Sequence, residues 1–317
     1  MIENLPLVLH IGYHKTGTTY LQDAVFPTHP EIMYLGRRWK KESIHQFFLE
    51  NQYTHPLQYD AGALRRKFYA DLNDLFFNDI EKKKVLMVSH ESLHSGPEWF
   101  GAEVVMMAER IKSLFPSAKI IIGIRNQLDY IESNYKSYII HGGRLSYRNF
   151  IYHSYAFNYA LKPKLEYDKV ITRYKDLFGA ANVCVYLLEG FKSDLRGEIN
   201  RIWNFMGVSP LDSLSADKKN VGLSKTSIGF IRLLNKMIAY DFNEQYYHWM
   251  KSDVSKMERF RWNTVGLLKK IEAKKFFPLR NKLSDDKTSE HIKNQFRESN
   301  VILSAMLNRE IKSLGYS

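Results

Sequence analysis

One cysteine, Cys184, is all that the 317-residue chain contains. A single thiol excludes an intrachain disulfide framework and fits a reducing compartment. Its setting, Asn182-Val-Cys-Val-Tyr186, is that of a small core side chain. Long apolar runs are missing as well: no segment approaches the roughly 18–20 continuous apolar residues of a membrane span. The opening residues, Met-Ile-Glu-Asn-Leu-Pro, lack the basic start and apolar stretch of a signal peptide. These absences predict a cytoplasmic protein with no membrane span. Internal repeats, low-complexity linkers and Pro/Gly-rich hinges are also absent, which argues for one domain.

Positive charge is in excess. With 46 Lys and Arg against 34 Asp and Glu, the formal net charge is +12. That favours anionic partners in general, whether nucleotides, acidic glycans, nucleic acid or an anionic membrane face. Clusters such as Arg37, Arg38, Lys40 and Lys41, or Lys82, Lys83 and Lys84, read equally well as solvated surface. Charge alone does not choose the partner. His45, His55, His94, His141, His153, His248 and His291 show no metal-ligand spacing with acids or with Cys184, so no metal is expected.

The first two-thirds of the chain alternates strand and helix. Buried-strand runs are expected at Leu5–Gly12, Lys84–Ser89, Lys119–Ile124 and Val183–Leu188. Helices are expected at Thr18–Val25, Ala61–Phe77, Val104–Leu114 and Leu128–Ile140. Strands separated by helices predict a mostly parallel sheet covered on both faces. After about Asn220 the stretches Ser224–Ala239, Lys256–Ala273 and Ser289–Leu314 look helical. The expected fold is therefore α/β: a single domain over residues 1–317, with a core at about 1–220 and a helical C-terminal extension at about 221–317.

The most informative segment follows the first strand: His10-Ile-Gly-Tyr-His-Lys-Thr-Gly-Thr-Thr19. A glycine-bounded turn between strand and helix turns backbone N–H groups and a positive helix end toward an anion. Gly12 and Gly17 stand at P-loop separation, and Thr19 occupies the motif's Ser/Thr position. The lysine is displaced, because Thr18 stands where a Walker loop has Lys and Lys15 lies inside the loop. A metal-dependent kinase also needs an acid at a neighbouring strand end. Here Lys84–Ser89 runs into His90-Glu91, and Lys119–Ile124 runs into Arg125. The loop reads as one that holds phosphate with lysine and backbone donors.

His14-Lys-Thr-Gly-Thr-Thr19, followed by Tyr-Leu-Gln22, resembles the 5′-phosphosulfate loop of the sulfotransferase family. That family's donor is 3′-phosphoadenosine 5′-phosphosulfate (PAPS), and its product is adenosine 3′,5′-bisphosphate (PAP). Arg125, followed eight residues later by Ser133, is similar to the family's second motif, which binds the 3′-phosphate. Eight residues at 3.6 per turn return close to the same helix face. An arginine fork and a serine hydroxyl are apt phosphate donors. Tyr167–Val208 and Asn220-Val-Gly-Leu-Ser224 extend the likeness, which runs over roughly residues 5–240 and is bacterial in style.

By this resemblance the nucleotide is held by His14, Lys15, Thr16, Gly17, Thr18, Thr19, Arg125 and Ser133. Lys15 serves the leaving phosphate, with Thr18 and Thr19 in support. Three residues compete as the base. His90 and Glu91 follow a strand, where family members place a histidine or a glutamate. Glu42 lies at the distance after the lysine found in carbohydrate- and tyrosine-modifying members, though among Lys40 and Lys41 it also reads as a surface ion pair. Trp39, Phe47, Phe48, Tyr138, Trp249 and Trp262 are candidates to border an acceptor groove, with core packing the ordinary alternative for each. The expected activity is sulfuryl transfer from PAPS to a hydroxyl or amine, with a carbohydrate or glycolipid as one acceptor class and no metal or nucleic acid involved. The rival readings are a metal-dependent P-loop kinase of small molecules and a non-enzymatic polyanion-binding module.

Overall fold

The computed structural model describes residues 2–36, 42–76, 82–94, 103–212, 222–237, 256–273 and 282–316, without the side chains of 42–45, 92, 156, 256–258 and 273. Trp39, His248, Trp249, Asn220 and the ends of the helices expected at Phe77 and Ala239 lie outside them. Five strands form one parallel sheet: β1 (Leu7–His10), β2 (Ile32–Leu35), β3 (Val85–Ser89), β4 (Lys119–Ile124) and β5 (Val183–Leu187), in the order β2-β3-β1-β4-β5. The expected α/β class with a parallel sheet is what the chain adopts.

The four anticipated strands are near-continuous apolar runs because both sheet faces are covered. Every residue of β1 and β3 is buried. β2 was not anticipated: four residues between Glu31 and Gly36 are too short a run to stand out. One face of the sheet (Val8, Val85, Met87, Ile121, Tyr186) packs against Leu21, Val25 and Phe26 and against the helix Leu195–Met206. That helix buries Ile199, Ile202, Trp203 and Met206, an i, i+3, i+4, i+7 stripe. Asp194 caps its start by accepting from the Gly197 N–H at 2.8 Å, and Gly207, at φ 80°, closes it. The helix Tyr167–Phe178 likewise buries Tyr167, Val170, Ile171, Tyr174 and Phe178.

Two compact units emerge from the fold. The first comprises Met1–Asn126, Ala160–Lys218 and Phe296–Ser317, and holds the whole sheet. The second comprises Gln127–Tyr159 and Lys219–Gln295. It is built from helices, including Gln127–Ile140, Lys225–Met237 and Lys256–Ala273. Side chains bonded to backbone groups tie its segments together. Glu132 accepts from the N–H groups of Leu283 (3.1 Å) and Ser284 (3.0 Å), and Asn235 Nδ2 donates to the carbonyls of Ile139 (2.8 Å) and Gly143 (2.9 Å).

Two helices differ from expectation. Only Thr18–Tyr20 is α-helical after the loop, and the chain then widens into π-type turns over Leu21–Val25. The expected helix Ser289–Leu314 is Asp286–Leu307 instead, with a separate 3-10 turn at Lys312–Leu314. Asn308 stops it by adopting the left-handed conformation (φ 49°), which Asn tolerates better than most residues.

Gly123 in β4 is fixed by sterics, because a Cβ there would stand 2.2 Å from Tyr186 Cζ and Oη. Gly123→Ala is expected to destabilise the protein by about 1–3 kcal/mol, the usual cost of overpacking a core. Urea unfolding checks this, and an unchanged midpoint would mean that Tyr186 is free to move aside.

Candidate active site

In this doubly wound order the chain leaves β1 between β3 on one side and β4 on the other, so the carboxyl end of β1 is the topological switch point where such sheets bind ligands. Beneath that end lies a buried polar string. His10 Nδ1 is 2.7 Å from Ser89 Oγ, and His10 Nε2 is 3.0 Å from Tyr186 Oη. Gln22 Nε2 donates to Ser89 Oγ at 3.1 Å. Burial lowers the His10 pKa to about 4 against an opposing pull from Glu91, so the ring is neutral at neutral pH.

Ile11 N–H donates to the Ile121 carbonyl at 3.0 Å and Tyr13 N–H to the Gly123 carbonyl at 3.3 Å, which aligns the start of the loop with β4. Gly12 permits this close passage, since a Cβ would lie 3.0 Å from His10 Nε2 and 3.2 Å from Thr18 Cγ2. The turn itself needs left-handed residues, Lys15 at φ 65° and Gly17 at φ 84°. Thr16 is buried, its hydroxyl donating to the Tyr13 carbonyl at 2.5 Å. Tyr13 is buried too, and its hydroxyl donates to the Lys164 carbonyl at 2.6 Å while Lys164 Nζ lies 5.3 Å from its ring centre. His94 packs on the same ring at 4.1 Å. Lys15 is exposed, whereas His14 and Thr19 are half-buried.

The sequence-predicted residues converge here in large part. Thr18 Oγ1 donates to Glu91 Oε1 at 2.7 Å. Burial pushes the Glu91 carboxyl up, but His14, the Thr18 hydroxyl, the Glu91 backbone N–H and His90 together outweigh it and hold the pKa at about 2. His90 N–H donates to the His10 carbonyl at 3.2 Å, and its ring stacks on Phe48 at 4.2 Å. Arg125 Nη1 donates to the Lys15 carbonyl at 3.4 Å, so the two motifs found far apart in sequence touch. Ser133 is half-buried about two turns into Gln127–Ile140, in the second unit. Glu42 opens the helix Glu42–Tyr53, and its side chain lies outside the described residues. Of the ring candidates, Phe47, Phe48 and Tyr138 are core residues. Trp262, in the second unit, is half-buried beside His141, with ring centres 5.4 Å apart.

Sequence reasoning missed Glu189 and Tyr316. Glu189 Oε1 accepts from Asn126 N–H (3.1 Å) and Nδ2 (2.8 Å), and Oε2 accepts from the Tyr316 hydroxyl (3.1 Å). Tyr167 Oη donates to the Arg125 carbonyl at 2.7 Å. A glutamate directly after the apolar run Val183–Leu188 was the available signal for the first; nothing local marks the second. Cys184 is buried, and burial raises its thiol to about 11, which leaves it unreactive. Among the described residues no three His, Cys, Asp or Glu gather as a metal ion would require, and no helix is long and apolar enough to cross a membrane.

A family model described as "Sulfotransferase family" matches residues 6–212. No curated protein matches. Among solved structures, a sulfotransferase from Alicyclobacillus acidocaldarius is 20% identical, with 80% of this chain and 99% of that one covered at a TM-score of 0.47. The sulfotransferase domain from the curacin biosynthetic pathway is 12% identical (83% and 98% covered, TM-score 0.41). A mouse sulfotransferase complexed with PAP is 16% identical (79% and 67% covered, TM-score 0.36).

The neutral, buried His10 makes stability pH-dependent. Its folded pKa of about 4 lies below the ordinary histidine value of 6.5, so between these values the unfolded chain binds a proton that the folded chain refuses. Stability therefore falls as pH drops from 6.5 to 4, by about 3 kcal/mol for a shift of this size, and His10 adds nothing further below pH 4. His94, fully buried and also well below its ordinary pKa, acts in the same direction. Glu91 acts lower, its stabilisation fading as pH falls from 4.5 through about 2. His10→Gln is expected to flatten the 6.5-to-4 slope without abolishing it, as read by urea unfolding at several pH values. An unchanged slope would mean that the ring becomes charged in place.

Proposed function

The chain belongs to the sulfotransferase family, and on that premise we propose that it moves a sulfuryl group from PAPS to a hydroxyl or amine of an acceptor. The observation that carries this reading is the contact between Arg125 and the carbonyl of Lys15, which joins two anion-binding groups at the carboxyl ends of β1 and β4. The residues suit a doubly phosphorylated nucleotide. Lys15 is exposed at the turn, a glycine-bounded loop of this kind suits an anion with its backbone N–H groups, and Arg125 brings a second cationic fork.

Transfer of this kind needs little covalent help from the protein. As the acceptor oxygen or nitrogen forms its bond to sulfur, the bond from sulfur to the bridging phosphate oxygen breaks and its electron pair leaves with PAP. Lys15 neutralises the charge growing on that oxygen, and Thr18 and Thr19 flank it. The acceptor's proton goes to His90. Glu91, held at about 2 and engaged by Thr18, is too weak a base; it fixes the loop and balances His14 and His90. Arg125 reads the 3′-phosphate. The second unit carries 19 of the Lys and Arg residues against 10 Asp and Glu, a net +9 of the chain's +12, which supports an anionic acceptor such as an acidic glycan or glycolipid. The single buried thiol accords with a cytoplasmic site of action.

Calorimetry with PAP and ATP, in EDTA or in Mg²⁺, tests the donor. The expected result is tight, metal-independent binding of PAP and weak binding of ATP; preference for ATP with Mg²⁺ would restore the kinase reading. Lys15→Ala is expected to lower turnover roughly hundred- to thousandfold, the cost of losing one charge-stabilising donor, with the melting temperature unchanged. Near-normal turnover would remove Lys15 from the chemistry.

The base is tested by His90→Ala, Glu91→Gln and Glu42→Gln compared in kcat, and a loss confined to Glu42→Gln would make Glu42 the base. His90→Ala is expected to lose about a hundredfold or more, the usual worth of a general base, and Glu91→Gln, which keeps an acceptor for Thr18, much less. The opposite ranking would make Glu91 the base.

A further inference from the structure

The peptide that links Arg125 to Asn126 is gripped from both sides. Its carbonyl accepts from Tyr167 Oη at 2.7 Å, and its N–H donates to Glu189 Oε1 at 3.1 Å. One peptide plane held by two partners leaves the backbone that carries the arginine a single orientation. The grip depends on Glu189, a carboxylate that is only 7% exposed. A buried carboxylate needs donors on both oxygens. Asn126 supplies two to Oε1, and the hydroxyl of Tyr316, 127 positions away in sequence, donates to Oε2 at 3.1 Å.

Tyr316 is itself set in place. It is 1% exposed, and its N–H donates to the Ile311 carbonyl at 3.3 Å. Gly315 before it adopts φ 95°, a conformation that favours glycine, and a Cβ there would lie 3.5 Å from Asn126. Upstream, Asn308 turns the chain out of the helix, and Arg309 pairs with the buried Glu198 at 2.5 Å. Burial, together with the charge of Glu189, raises the Tyr316 pKa well above its ordinary value, so the phenol keeps its proton for Glu189.

We propose that Tyr316 is a positioning residue for the 3′-phosphate end of the donor site: through Glu189 it fixes the Arg125–Asn126 peptide and hence where the guanidinium stands. Segment 311–316 then belongs to the nucleotide machinery although it lies beyond the region matched by the family model. The proposal rests on the reading of Arg125 as the 3′-phosphate donor, and its test separates the two.

Tyr316→Phe removes one oxygen and keeps the ring. Binding of PAP and of AMP, which lacks the 3′-phosphate, is measured by calorimetry for the wild type, Tyr316→Phe and Arg125→Ala. Tyr316→Phe is expected to weaken PAP about five- to tenfold, part of the roughly ten- to hundredfold worth of a hydrogen bond to a charged group, with AMP changed less than twofold. In steady state KM for PAPS rises by the same factor while kcat at saturating donor holds, a split that loss of folded protein would not produce. Should Tyr316→Phe misfold, Glu189→Gln replaces it, since the amide keeps an acceptor for Asn126 but offers Tyr316 a donor where it had an acceptor. The same selective loss of PAP is expected. If Arg125→Ala discriminates PAP from AMP and the Tyr316 and Glu189 variants do not, the proposal falls and the Arg125 reading stands. If Arg125→Ala weakens both nucleotides equally, the Arg125 reading falls and the proposal with it.

Discussion

The imidazole of His10 is the constraint on which the rest of the site depends. It sits at the last position of β1 and reaches Ser89 at the end of β3 on one side and Tyr186 in β5 on the other. To meet it, Tyr186 must cross β4, and it does so over Gly123, where no side chain stands in the way. Three strand ends are thereby tied at one level by hydrogen bonds made in a low-dielectric interior, where each is stronger than in water. From that level the loop at Gly12, the pair His90-Glu91 and Arg125 all leave the sheet. A charged imidazole would break the arrangement, and burial is what keeps it neutral.

Two carboxylates stand beside the loop and Arg125, and each is satisfied by donors. Glu91 takes the Thr18 hydroxyl and lies near His14 and His90; Glu189 takes three donors from Asn126 and Tyr316. Each spends its charge on groups that must not wander. Lys15 is exposed at the turn, and Arg125 beside it donates to the Lys15 carbonyl.

The sequence was legible where function and structure coincide locally. The loop of Gly12 and Gly17, the apolar strands and the arginine closing β4 all leave compact traces, because turn geometry and burial act on neighbouring residues. What escaped depends on long range or on short length. β2 is four residues, Asn308 ends a helix by its own backbone conformation, and the partnership of Glu189 with Tyr316 spans 127 positions with no period to betray it. His10 stands in sequence only as the end of a strand and the start of the loop, since nothing nearby reveals its partners 79 and 176 residues away.

The displaced lysine has a structural counterpart. A Walker lysine follows the second glycine and stands on the first helical turn. Lys15 instead precedes Gly17 and occupies a left-handed backbone conformation, which costs a non-glycine residue on the order of 1–3 kcal/mol unless its surroundings enforce it. Here they do: Thr16 bonds back to Tyr13, Tyr13 is anchored to Lys164, and the Lys15 carbonyl accepts from Arg125. The strain is therefore shared with the arginine that closes the other half of the site. A change that drew Arg125 away from this carbonyl would remove one of the contacts that hold the turn at Lys15.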